Sequence, residues 1–111
     1  MQIPGEWGTT AVIGREEAIA LVRQYKQVIA KHFDEMPEVM LFGSYAKGSA
    51  NKDSDIDVAV IVPSYGDRKL ELSKVLWHDV DDVSLLIEPV LMSREYPSPL
   101  YDDVMRTGIA V

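Results

Sequence analysis

The chain has 111 residues with 18 acidic against 11 basic side chains, a formal charge of -7, and no cysteine. That length supports one hydrophobic core and leaves no room for a catalytic domain plus a separate substrate-binding domain, so a single domain over 1–111 is expected. The absence of cysteine excludes a disulfide framework and a thiolate metal site. The negative balance opposes a nucleic-acid backbone, and no apolar run approaches a membrane span or a signal peptide, so a soluble cytoplasmic protein is expected.

Residues 1–14 hold Pro4, Gly5 and Gly8 with a single apolar cluster, Ala11-Val12-Ile13, and read as an extended arm or edge strand that Trp7 anchors by packing. From Arg15 to Phe33 the apolar residues Ala18, Leu21, Val22, Tyr25, Val28, Ile29 and Phe33 recur at three- and four-residue steps, which predicts a helix with one buried face. Glu16 and Glu17 in its first turn, and Lys31 and His32 in its last, carry the signs that the helix dipole favours. His32 is accordingly read as a helix-end residue and not as a base.

Glu38–Phe42 predicts a strand that breaks at Gly43-Ser44. Tyr45–Ala50 follows as a short helix or turn, and Asp55–Val62 is a second strand closed by Pro63. Residues two apart on a strand share a face, so Asp55 and Asp57 present their carboxylates side by side, roughly 6–7 Å apart at the backbone. Two anions that close repel unless positive charge lies between them. Divalent cations about 3.5–4 Å apart answer this need and would suit phosphoryl transfer. Gly43 lets the backbone turn tightly beside an anion, with the amides of Ser44 and Tyr45 facing it.

Beyond the loop Ser64–Asp67, Arg68–Val80 predicts a helix with Leu72, Val75, Leu76 and Val80 on one face, crossing between neighbouring strands. His78, Asp79, Asp81 and Asp82 read as a solvated turn. Val83–Met92 predicts a third strand carrying Glu88-Pro89, and a carboxylate there is out of character for a buried strand. Tyr96–Thr107 predicts a last helix, Gly108 its cap, and Ile109–Val111 a final short strand. The expected fold is α/β, a mixed twisted sheet of about four or five strands with helices mainly on one side.

Gly43-Ser44, a ten-residue interval and Asp55-Ile56-Asp57, flanked by two apolar strands, resemble the signature of the DNA polymerase β superfamily of nucleotidyltransferases. The resemblance is closest to its minimal stand-alone members, paired with HEPN-type proteins in toxin–antitoxin systems. It implies nucleotidyl transfer, most often of AMP from ATP, to a hydroxyl. Asp55 and Asp57 would hold two Mg²⁺ ions, and Gly43, Ser44 and Ser54 would contact the nucleotide. Lys47 matches a family position that usually carries Arg, and stands either against the triphosphate or as a solvated lysine. Glu88 is the counterpart of the family's third acidic residue, normally Asp, or else an edge-strand charge beside a proline; in a shifted register that place falls at Ser84. The resemblance also implies an HEPN-type partner as acceptor and an antitoxin role. The alternatives are a binding module that masks its partner and a transferase acting on a small molecule.

Overall fold

The computed structural model describes residues 13–111. The expected arm and its Trp7 anchor fall almost wholly outside them. Among the described residues, four helices, one of them a single turn, and a four-stranded sheet follow the anticipated order, with small shifts at the ends. Helix α1 spans Arg15–Ile29, and a single 3₁₀ turn, Ala30–His32, completes the stretch expected to be helical. Strand β1 is Glu38–Phe42, the one-turn helix α2 is Ser44–Lys47, and β2 is Ile56–Val62. Helix α3 is Lys69–Asp79, β3 is Ile87–Ser93, α4 is Pro99–Thr107 and β4 is Ile109–Ala110.

The strands lie in the order β3-β2-β1-β4. β1 runs antiparallel to both β2 and β4, while β2 and β3 are parallel, joined by the α3 crossover. Alternation along the strands divides the core in two. Val39, Leu41, Ile56, Val58, Val60 and Ile87 face α1 and α3, meeting Ala18, Val22, Tyr25, Ile29, Leu76 and Val80. Met40, Phe42, Ala59, Ile61 and Met92 face the other way, where α4 supplies Val104. The helices are therefore split between the faces, α1, α2 (through Tyr45) and α3 against α4. Each fully buried Val, Leu or Ile contributes about 1.5–3 kcal/mol, so the first face, with far more of them, is the main source of stability.

The α1 periodicity is borne out by its buried residues, Ala18, Val22, Tyr25 and Ile29. Its start is held by Glu17, whose carboxylate accepts the Gly14 N–H at 3.4 Å. Helix α4 begins with Ser98 Oγ accepting the Tyr101 N–H at 3.2 Å and with Pro99 in its first turn.

Two local expectations are corrected. Asp79 is not solvated: it is 3% exposed, and His32 Nε2 lies 2.7 Å from its Oδ2. Lys31 and His78 add longer contacts of 3.8 and 3.7 Å. A buried carboxylate needs such partners, and His32 is one of them, bridging the 3₁₀ turn after α1 to the end of α3. Nearby, the Tyr25 hydroxyl donates to Leu76 O at 2.6 Å. Burial, with the Asp79 charge adding to it, pushes that hydroxyl's pKa well above its usual value. The second correction is the third strand, which starts only at Ile87; Val83–Leu86 is turn.

Candidate active site

Three acidic residues, Asp55, Asp57 and Glu88, lie near the starts of β2 and β3. The register pairs Asp57 with Glu88 on β3 and with Phe42 on β1. Asp57 stands two residues before Ala59 and Glu88 four before Met92, so both belong to the α4 face. Asp55, one residue before β2, is exposed; Asp57 is half-buried, at the mouth of a strand whose other residues are all buried. Glu88 lies on the exposed side of an edge strand whose opposite face buries Ile87 and Pro89.

Electrostatics binds the three together. Burial raises the Asp57 pKa above the usual carboxylate range, and the Asp55 charge raises it further. Glu88 is raised first by a hydrogen bond with Asp55, then by desolvation and by the charges of Asp55 and Asp57. Among the described residues, no Lys, Arg or His forms an ion pair with any of them. A hydrogen bond between two carboxyl groups needs a shared proton, and a divalent cation can hold the same oxygens together with more charge. No three acidic or His side chains among the described residues close around one point. That partial set of hard oxygens fits Mg²⁺, which takes one or two carboxylates and completes its shell with water and phosphate.

The glycine-serine turn abuts these carboxylates. Gly43 has φ +73° and ψ -149°, a conformation that side chains resist. A Cβ built on it would land on Asp57 Oδ2 and lie 3.0 Å from Asp57 Cγ. Only glycine lets the turn approach Asp57 so closely. Ser44 then opens α2, whose first amides have no partner within the helix.

The remaining candidates are tied up elsewhere. Lys47 Nζ lies 3.5 Å from Asp103 Oδ2 on α4. Ser54 Oγ accepts the Asn51 N–H at 2.8 Å, while Ser54 N–H donates to Asn51 O at 3.0 Å, so this residue closes the loop that delivers Asp55. Ser84 precedes the strand, and its hydroxyl accepts the Leu86 N–H at 3.2 Å. Arg15 is a positioning residue that the sequence did not disclose. Its Nε donates to Tyr45 O at 3.0 Å and its Nη2 to Ala46 O at 2.9 Å, clamping α2 from the start of α1. A hollow of about 300 Å³ lies behind that clamp, lined by Ile13, Arg15, Tyr45, Gly48 and Ala50 and by none of the three carboxylates. The acidic cluster sits instead on an exposed shelf at the starts of β2 and β3, with Asp55 and Glu88 open to solvent.

Residues 22–103 match the model of the nucleotidyltransferase domain family. A Methanocaldococcus jannaschii protein, named as a candidate protein adenylyltransferase, is 28% identical over 98 residues, covering 86% of this chain and 99% of its own. A second protein of that organism, with the same description, is 32% identical over 90 residues, covering 73% of this chain and 60% of its own. A candidate nucleotidyltransferase from Sulfolobus solfataricus, solved as a crystal structure, superposes with a TM-score of 0.65 over 93% of this chain and 86% of its own at 16% identity, a likeness of fold.

Proposed function

The chain belongs to the nucleotidyltransferase domain family, and from that premise we propose that it transfers AMP from ATP to a hydroxyl on a partner protein. The observation that carries this reading is the register pairing of Asp57 with Glu88, with Asp55 next to β2 and hydrogen-bonded to Glu88, and the Gly43 turn pressed against Asp57. The acceptor oxygen bonds to the α-phosphorus, the α–β phosphoanhydride bond breaks, pyrophosphate leaves, and the hydroxyl proton is lost to water. Two Mg²⁺ ions, held by Asp55, Asp57 and Glu88, would neutralise the triphosphate and make the acceptor hydroxyl more acidic.

The chain's own residues divide the remaining work. Gly43 and the amides after it face the β- and γ-phosphates, and Ser44 offers a hydroxyl. Arg15 holds α2 in place behind them. Lys47 would contact the triphosphate only by leaving Asp103, and Ser54 acts through the loop it closes. Glu88, exposed on the edge strand β3, faces the acceptor. A protein acceptor is favoured by the protein adenylyltransferase description of the relatives. A protein of HEPN type, neutralised by the modification, is the partner we propose, in the cytoplasm.

The test is calorimetric titration of ATP with Mg²⁺ and with chelator, then mass spectrometry of the partner after incubation with both. Binding that needs Mg²⁺, and a mass gain of one or more AMP units, support the reading. Equal binding with chelator overturns the metal site. A stable complex without mass change assigns the chain to binding alone.

A further inference from the structure

The run Val83–Ile87 is apolar enough to pass for strand, yet only Ile87 enters the sheet. The Ile87 N–H donates to Ser84 O at 3.2 Å, closing a tight turn with Leu85 and Leu86 at its two central positions. Such positions favour Gly, Pro, Asn, Asp and Ser, whose backbones or short polar side chains suit the bend. Leucine brings neither property. Packing does not explain it either, since Leu85 is 80% and Leu86 39% exposed. A lone exposed leucine is ordinary. Two in succession at a turn tip violate local preference twice, and natural chains concentrate such departures at working sites.

The turn's position indicates the work. Leu86 O accepts, at 2.8 Å, the N–H of Ile56, the residue between Asp55 and Asp57. Ile87 and Glu88, which follow directly, pair with Ile56 and Asp57. The two leucines are thus fastened by backbone to the rim of the carboxylate shelf. The chain enters this rim through Asp81 and Asp82 and leaves it at Glu88, all exposed.

We propose that Leu85 and Leu86 dock the acceptor: a polypeptide carrying an aliphatic or aromatic side chain beside the hydroxyl to be modified, with Lys or Arg meeting Asp81 and Asp82. This rests on the AMP-transfer reading above and adds the feature by which the acceptor is chosen. A polar small molecule gains nothing from two solvent-facing leucines. A nucleic acid is opposed by the surrounding carboxylates. A polypeptide can satisfy both the apolar tip and its acidic flanks, with charge setting orientation and encounter rate.

The probe is a synthetic peptide set in which Tyr, Ser or Thr is flanked by aliphatic, polar, basic or acidic residues, incubated with the full chain, Mg²⁺ and ATP labelled at the α-phosphate. Peptides with an apolar neighbour and basic flanks are expected to label at least tenfold faster than polar or acidic ones. Leu85→Ser with Leu86→Ser should erase that preference while leaving Mg²⁺-dependent ATP affinity unchanged. Preference retained in the double variant overturns the docking rim, as does the absence of any labelled peptide when Mg²⁺·ATP binds normally. Failure of ATP to bind removes the transfer reading itself, and the two failures are thereby distinguished. A photo-crosslinking side chain at position 85 names the occupant. Capture of the labelled peptide supports the proposal, whereas capture of a second copy or of the chain's own residues 1–12 overturns it.

Discussion

Replacing Gly43 with alanine tests the most demanding contact in the site. The backbone at φ +73° and ψ -149° lies in a region open essentially to glycine, and forcing another residue there costs about 1–3 kcal/mol. The new methyl would also fall on Asp57 Oδ2, with Cγ at 3.0 Å and Cβ at 3.3 Å. Asp57 is paired on both sides, to Phe42 and to Glu88, so its backbone cannot retreat and the carboxylate must swing aside. Overpacking of this kind adds about 1–3 kcal/mol. The sum, about 2–6 kcal/mol, is a large share of the 5–15 kcal/mol that stabilises a typical domain. Gly48→Ala is the control: φ is +81° there too, but the nearest atom is Arg15 Nη2 at 3.5 Å, so only a left-handed backbone cost of about 1–2 kcal/mol applies. Urea unfolding of both variants, and of Gly43→Ala in an Asp57→Ala background, separates the contributions. Gly43→Ala should cost more than Gly48→Ala, and about half its cost should vanish once the Asp57 carboxylate is gone. An unchanged cost in that background would refute the overlap and the close approach inferred from it.

Asp57→Asn should abolish Mg²⁺-dependent ATP binding and yet stabilise the metal-free protein at neutral pH by up to about 1 kcal/mol, after solvent screening. The native state raises the Asp57 pKa, so it favours the protonated form; the wild type loses stability as pH rises through that value and regains it on acidification. The stability gap between variant and wild type, followed by thermal unfolding, should therefore close as pH falls toward the ordinary carboxylate range, and a pH-independent gap would contradict this. Glu88→Gln should slow transfer on the order of 10–100-fold while leaving the fold intact; wild-type rates would detach Glu88 from the reaction. His32→Ala should destabilise the domain by about 1.5–3 kcal/mol, because buried Asp79 loses its closest partner. Denaturation midpoints that match the wild type would show that Lys31 and His78 suffice.

Local pattern determined much of this protein. The three- and four-residue spacing of Ala18, Val22, Tyr25 and Ile29 has one physical solution, a helix with a single buried face. The glycine-serine break, ten residues and Asp-Ile-Asp marked the end of β1 and the start of β2, though only Asp57 lies on the strand and Asp55 stands one residue before it. What the sequence could not decide were distances between segments remote in the chain. The pairing of Glu88 with Asp57 depends on the register of β3 against β2, and one residue of slip would have sent Glu88 to the opposite face. Arg15 reaching Tyr45 and Ala46, and His32 reaching Asp79, span gaps that no spacing rule covers. Leu85 and Leu86 show the limit most plainly. By composition they continue a strand, and only the closure of a turn at Ser84 and Ile87, together with the hydrogen bond from Ile56, puts them in solvent beside the carboxylates. Short apolar runs satisfy strand and turn alike until tertiary contacts choose, and here the choice fell against local preference at the edge of the site.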